Sequence, residues 1–461
     1  MFIRQSIRGA LLCQAGLALM LGWGQAIAAI PIQHWTQPSG AKVYLVESPS
    51  LPMVDVRIDF DAGGRRDPAE QAGLASVTAG MTSKGITAAK DGTGGATPYP
   101  LALDENQLSE AWADLGAGFD GGASSDRMSF SLRSLSYPDI LPKAVQLAAR
   151  QLGEPAFPEA IWQRERQRMA ASIREANTRP ATVAGRAYAK AVYGKHPYGY
   201  EMTEETLERI GVQDMRQMYQ RLVSPCRAKV SLVGAVTRAE ADALVTTLLS
   251  RLPSAAAGRC EALPAVAEVE PLAAPLVEDI PFASAQAHVL IGQPGHKRID
   301  PDYFALLVGN YTLGGGGFVS RLTQEVREKR GLSYSVSSHF SPGLHAGAFT
   351  IGLQTRPDQT AQAVQVAQDV LARFVAEGPT EAELKAAKDN LIGGFPLLID
   401  SNRKLLENVS NIAWNDLPLN YLDTWTAQVQ RVTVADIKAA FNRKLQPQRM
   451  VVVTVGAAAS H

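Results

Sequence analysis

The sequence runs to 461 residues, 46% of them hydrophobic, with 45 basic and 45 acidic side chains. A chain of that size and apolar content buries two or more cores, which excludes a small stapled scaffold. Its balanced charge carries no footprint for nucleic acid or for an anionic membrane.

The first stretch carries Arg4 and Arg8, then an apolar run over residues 10–26, then the small-residue pattern Ala26-Ile27-Ala28. This predicts a secretory signal, residues 1–28, cleaved after Ala28. A membrane anchor is the competing reading, but the run is short and broken by Gln14 and Gln25. Cys13 lies too early in the run for a lipoprotein cleavage site and leaves with the signal. Loss of Arg4 and Arg8 brings the net charge to −2. No later run reaches membrane-spanning length, so the mature protein is expected to be soluble and periplasmic or secreted. Two cysteines then remain, Cys226 beside an apolar strand and Cys260 in a linker-like stretch. Such a compartment permits a disulfide, and the sequence leaves open whether the two pair. A zinc site built from them is disfavoured, because no histidine lies near.

Residues 42–46 and 54–60 read as strands, residues 119–132 as a further pair around glycines, and residues 142–152 and 161–176 as helices. Residues 228–236, AKVSLVGAV, close this half with an apolar strand followed by a glycine. Residues 253–281 are rich in Pro, Ala and Glu without a clear period, and read as an interdomain linker with some extended structure. Beyond it, residues 288–292 and 349–353 read as strands and 360–376 as a helix, and Thr380-Glu381-Ala382-Glu383 is a capping box that opens the next helix. Residues 449–457, RMVVVTVGA, repeat the closing strand. The same layout therefore occurs twice, in domains 29–252 and 282–461. Strands grouped apart from helices predict an α+β fold rather than a doubly wound sheet.

The densest pattern lies at residues 313–340, LGGGGFVSRLTQEVREKRGLSYSVSSHF. Phe318, Leu322 and Val326 recur at helical spacing on one side, while Arg321, Glu325 and Lys329 form a charged ladder at i,i+4 on the other. Gly331 supplies the left-handed cap that ends the helix. The period then changes to two, placing Leu332, Tyr334, Val336 and Phe340 on one face of a strand and Ser333, Ser335, Ser337 and His339 on the other. Two residues stand out. Arg327 has no acidic residue three or four places away, so its charge is expected to seek a partner elsewhere. Tyr334 brings a rigid ring and a hydroxyl donor across the turn. The competing reading is a solvated arginine beside a core tyrosine.

The run GGGGFVSRLTQEVREKRGLSYSV resembles the C-terminal-half signature of the insulinase/pitrilysin-type metallopeptidases, whose zinc motif is H-x-x-E-H. The resemblance implies two homologous domains, each a mostly antiparallel sheet with helices packed on one face, forming half of a clam-like chamber. It also implies that Arg327 and Tyr334 bind substrate opposite a zinc site carried by the other half or by another subunit. The family's place for that motif is residues 73–85, GLASVTAGMTSKG. Gly73, Leu74, Ala75, Met81, Lys84 and Gly85 match and fix the register. The two zinc histidines are replaced by Ser76 and Gly80, and the base glutamate by Ala79. The third ligand of the family lies seven residues after the first residue of an E-R pair. Glu165-Arg166 supplies the pair, and Ser172 occupies the ligand position. Glu175 lies three residues further on, almost a turn up the helix. A catalytic zinc needs three protein ligands and an open position, so no zinc is expected in this chain.

Other arrangements carry less. His288 and His296, and His339 and His345, match no zinc spacing and read as surface or strand histidines. His196-Pro197-Tyr198 reads as a structural turn. Ser76 lacks a nucleophile elbow, and Gly314 to Gly317 lack the Lys-Ser/Thr of a phosphate cradle. Residues 87–101 read as a Gly/Ala-rich insertion relative to the family. The resemblance implies a non-zinc subunit of a heteromeric zinc peptidase, whose partner carries H-x-x-E-H and the zinc. The alternative is a non-enzymatic scaffold or peptide-binding protein of the same fold.

Overall fold

The computed structural model describes residues 30–89, 98–253 and 260–456. The expected signal, and residues 90–97 of the expected insertion, lie outside them. Thirteen strands are formed among the described residues: β1 (Gln33–Thr36), β2 (Lys42–Glu47), β3 (Met53–Phe60), β4 (Gly85–Ile86), β5 (Leu103–Asp104), β6 (Gly118–Ala123), β7 (Met128–Leu135), β8 (Lys229–Gly234), β9 (Leu276–Ile280), β10 (Ala287–Pro294), β11 (Val336–Phe340), β12 (Ala348–Thr355) and β13 (Val451–Val455). Apart from the small β4/β5 pair they make two sheets, ordered β1-β2-β8-β3-β7-β6 and β11-β12-β10-β13-β9.

Set side by side, the two orders are one order. β2, β8, β3, β7 and β6 correspond in sequence order and in pairing to β9, β13, β10, β12 and β11. In each sheet the closing strand pairs in parallel with the first, β8 with β2 and β13 with β9, and the other ladders of the five are antiparallel. The first sheet adds β1 at its outer edge.

The central strands were legible from apolar runs because they are buried on both faces. Val43 and Leu45 of β2 and Val230 and Leu232 of β8 face the helices of their own half. Tyr44, Val46 and Val233 face the second half. The cover on that face is reciprocal. Helix Asn402–Trp414 from the second half lies across β8 and β3, and helix Pro180–Tyr193 from the first half lies across β10 and β13. Ala184, Tyr188 and Val192 of the latter recur every four residues and pack on Val451, Val453 and Val455. Each sheet thus has helices of its own half on one face, as expected, and the crossing helix of the other half on the second face.

Several polar groups at these crossings are paired, although Ser231 Oγ of β8 and Trp414 Nε1 of the crossing helix are buried without a hydrogen-bond partner among the described residues. The Tyr188 hydroxyl donates to the Phe349 carbonyl at 2.8 Å, and a Cβ at Gly292 would meet that hydroxyl at 2.1 Å. Asp59, fully buried, accepts from Ser410 of the crossing helix at 2.7 Å and from Arg127 at 3.1 Å. Lys229 donates to the Ala413 and Trp414 carbonyls that end that helix, where a cation offsets the helix dipole.

The linker-like stretch is tied down on its way to β9. Cys226 and Cys260 are disulfide-bonded. Arg227 donates to the Glu261 carbonyl, and Arg66 to that of Pro264. Val269 is buried, and Glu268 pairs with Lys297 of the second half at 2.6 Å. Among the described residues no helix is long and apolar enough to cross a membrane.

Candidate functional site

The segment at the family's zinc position is a short helix, Leu74–Met81, entered through Gly73 at φ 101°. A side chain at Gly73 would also run into Met202. Asp67 caps the helix by accepting from the backbone of Gly73 at 2.9 Å and of Ala75 at 3.0 Å. Burial nevertheless pushes its carboxyl up to about 7. Ser76 and Gly80 are exposed, whereas Ala79 is fully buried in the first core. Ser172 is exposed on helix Glu159–Ala176. Glu175 on the same helix is paired with Arg179, and Glu165 with Arg168 at 2.6 Å. Ser76, Ala79, Gly80 and Ser172 offer no imidazole, thiolate or carboxylate, so they do not fit a zinc ion. Among the described residues no three His, Cys, Asp or Glu are grouped to hold a metal.

The second-half segment departs from the regular helix read in the sequence. Helix Tyr303–Asn310 runs into a π-helical turn at Tyr311–Gly315, then a 3-10 turn at Gly317–Val319, then a second π-helical turn at Thr323–Glu328. The glycines shape the first part of this path. A side chain at Gly314 would strike Ser338, and at Gly316 the Tyr311 carbonyl, while Gly317 sits at φ 59°. Leu322 and Val326 are buried as expected, but Phe318, expected beside them, is 63% exposed. The charged ladder is also broken. Glu325 binds Lys329 and Arg330, each at 2.6 Å, while Arg321 turns to Glu383 at 2.7 Å and to the Gly378 carbonyl. Burial alone would raise the Glu383 carboxyl, but Arg321 and the Thr380 cap hold it down to about 2.

Gly331 does take the left-handed conformation, at φ 61°. The strand, however, begins at Val336 rather than Leu332. The Ser333 hydroxyl donates to the Ser335 carbonyl at 2.6 Å and accepts from its N–H at 3.2 Å, which bends the chain at Tyr334. Tyr334 is therefore turned out, 80% exposed, instead of lying on the inner face. Its hydroxyl makes no hydrogen bond among the described residues.

Arg327 and Tyr334 are brought together. The guanidinium carbon lies 4.8 Å from the Tyr334 ring centre and 4.7 Å from that of Phe318, within cation–π range. The acidic partner of Arg327 is its neighbour Glu328 at 3.3 Å, not a group elsewhere in the chain. The outer edge of β11 is closed, since Asn310 donates to the Ser338 carbonyl and Thr323 to that of Val336. What the site presents outward is side chain: a phenol, a guanidinium and an apolar ring.

Of the four histidines weighed from the sequence, His288 and His339 lie on strands, while His296 and His345 are buried in loops. His345 faces His196 across the junction of the halves, ring centres 5.1 Å apart, and binds Glu268. Tyr198 donates to Asp126 at 2.6 Å and accepts from the His345 N–H, so the turn at His196 docks the β11–β12 loop. The ring of Phe318 was missed as part of the site because helical spacing assigned it to the core.

A twice-built α+β shell, with no metal-ligating side chain at the family's zinc position in one half and an arginine–tyrosine pair in the other, defines a peptidase-like protein. The chain belongs to the insulinase (M16) peptidase family. Residues 42–206 match the family described as Insulinase (Peptidase family M16), and residues 209–391 the one described as Peptidase M16 inactive domain. A crystal structure of a peptidase M16 inactive domain from Pseudomonas fluorescens superimposes with a TM-score of 0.85 at 33% identity, covering 94% of this chain and 99% of that one. The non-peptidase homolog YmxG of Helicobacter pylori is 25% identical, over 91% of this chain and 93% of its own. An uncharacterized zinc protease, YmxG of Bacillus subtilis, is 26% identical over 82% and 88%.

Proposed function

We propose that this chain is the non-zinc subunit of a secreted or periplasmic heteromeric zinc peptidase, binding and positioning a peptide for a partner of the same family that carries H-x-x-E-H. The observation that carries the reading is the Arg327–Tyr334 pair, held together and turned outward with donors to spare. Arg327 donates to a main-chain carbonyl of the peptide, and the Tyr334 hydroxyl donates to a second acceptor beside it. Their support is anchored: Gly314 and Gly316 pack closely on Ser338 and Tyr311, and Arg321–Glu383 pins the same segment to helix Glu381–Gly394. Bond cleavage belongs to the partner, which would hold the zinc, and this chain supplies orientation. The "non-peptidase" name of the Helicobacter relative agrees with that division, and Arg4, Arg8 and Ala26-Ile27-Ala28 support export.

The test is kcat/KM of the chain reconstituted with an H-x-x-E-H partner. Arg327→Ala and Tyr334→Phe should each cost about 2–4 kcal/mol of transition-state stabilisation, roughly 30- to 1000-fold in rate. Their effects combine less than additively, because both hold one substrate, and assembly and folding are retained. Unchanged turnover in a well-folded double variant would reject the reading in favour of a scaffold of the same fold.

A further inference from the structure

We propose that Phe318 is a third substrate-contacting residue, forming with Tyr334 an aromatic clamp around Arg327 that selects peptides with a bulky apolar side chain next to the bound carbonyl. The proposal rests on the substrate-holding reading above and names what that site prefers. Leu322 and Val326, which share a helical face with Phe318 in the sequence, are fully buried, yet the Phe318 ring is 63% exposed. It is held out by built structure. Gln324 donates to the Phe318 carbonyl at 2.7 Å, and the Ser320 hydroxyl to that of Gly317 at 2.7 Å, so the backbone of the 3-10 turn is fixed on both sides of the ring. The ring's aromatic or cationic contact among the described residues is with Arg327, and Val319 beside it is 64% exposed.

A guanidinium and a phenol with apolar surface at their side suit a ligand that is polar along its backbone and apolar at one side chain. An acidic side chain gains less there, because Glu328 already lies 3.3 Å from Arg327 and supplies the counter-charge. Desolvated cation–π contacts and buried apolar area both strengthen when an apolar group covers the rings. The predicted order is therefore Phe or Leu above Ser and Asp.

The experiment is fluorescence anisotropy of the purified protein with short fluorescein-labelled peptides that differ at one central residue, Phe, Leu, Ser or Asp. The Phe and Leu peptides should bind about ten-fold more tightly than the others, a ratio that corresponds to ~1.4 kcal/mol. Phe318→Ala and Phe318→Gln should bring the ratio to within about two-fold, and Phe318→Trp should keep it. A residue that merely packed against Arg327 would weaken every peptide alike and leave the ratio unchanged. A surviving Phe/Ser ratio in Phe318→Ala, or unselective binding by the unmodified protein, overturns the clamp. Loss of binding in Arg327→Ala alongside that result leaves the substrate-holding reading standing. Binding indifferent to both Arg327→Ala and Tyr334→Phe, or no binding of any peptide, overturns that reading and the clamp with it.

Discussion

The reciprocal helix crossing should make the two halves unfold as one, and Asp59 is where this is most sharply tested. Its side chain is 1% exposed and is held by Arg57 and Arg127, each at 3.1 Å, and by Ser129 and Ser410. Arg127 in turn binds Ser410 at 2.9 Å and lies over the Trp414 ring, so one buried carboxylate joins sheet and crossing helix. Asp59→Ala leaves two guanidinium groups facing each other across an empty site. Removing one partner of a buried pair costs about 3–5 kcal/mol. Ser410→Ala removes a hydrogen bond to a charged group, worth ~1.5–3 kcal/mol. Since they share one network, the double variant should fall short of the sum by ~0.5–3 kcal/mol. Urea denaturation followed by tryptophan fluorescence and by far-ultraviolet circular dichroism checks this. Both probes should report one coincident transition in the parent and in each variant. Two resolved transitions, or additive losses, would refute the argument that the crossing fuses the halves.

The buried histidines give a pH dependence. His196 is held below the usual imidazole range by burial first and by the neighbouring His345 second, against the Ala267 carbonyl, Glu268 and Asp126, with Tyr193 and Tyr198 completing its surroundings. His296 is lowered by burial. A folded-state value below the unfolded one gives stability that is present above about pH 6.5 and lost as pH falls through the folded value. Asp67, whose carboxyl burial raises to about 7, takes up a proton in the folded state over the same range and acts in the opposite sense, so the histidine effect is read as a difference. Between about pH 7.5 and pH 5.5 the denaturation midpoint should change less favourably in the parent than in His196→Gln, and equal changes clear His196. Glu383, held at about 2, adds a second loss only below about pH 4.5. Reduction of Cys226–Cys260, 34 residues apart, should cost about 3–4 kcal/mol of chain-entropy stabilisation, read as a lower urea midpoint, and Cys260→Ser should abolish any effect of reductant. In the vacated motif, Ser76→His and Gly80→His should leave stability within about 0.5–1 kcal/mol, because Ser76 is exposed and a Cβ at Gly80 meets nothing within 4 Å. Ala79→Glu places a carboxylate in the core and should cost several kcal/mol. Equal melting temperatures for all three would show that Ala79 has not become a core residue.

How much of this was legible follows from where each signal originates. The strands 42–46, 54–60, 288–292 and 349–353 were readable because alternation and apolar runs are local, and the structure extends each by only a few residues. The Thr380–Glu383 box was readable for the same reason, and it forms. Helix Pro180–Tyr193 carries a readable stripe in Ala184, Tyr188 and Val192, but nothing local says that the stripe faces the other half's sheet. The π-helical turns at 311–315 and 323–328 were not readable. At the first of them Ser338, Asn310 and Tyr311 crowd the glycines, and Ser338 lies more than twenty residues away. Tyr334 went to the wrong face because a Ser333 hydroxyl, and not the strand period, decides the backbone there.

The two halves can be compared position by position, because the strand orders coincide, and the comparison shows where the backbone departs from regularity. Helix Leu74–Met81 and helix Tyr303–Asn310 each precede the edge strand of their sheet, β6 or β11. In the first half the helix is regular, ends in small residues and gives its one inward site position, Ala79, to the core. In the second half the helix runs on through two π-helical turns, each a departure from the cheapest hydrogen-bond pattern, and the chain adds a left-handed glycine and a serine-driven bend before β11 begins. These departures have one common product: Phe318, Arg327 and Tyr334 meet at the surface. A fold that only needed to fill space would have the regular helix at both places, as small residues allow at 74–81. Local irregularity that over-determines one exposed cluster is the pattern expected of a working site, and it lies in the second half, away from residues 73–85.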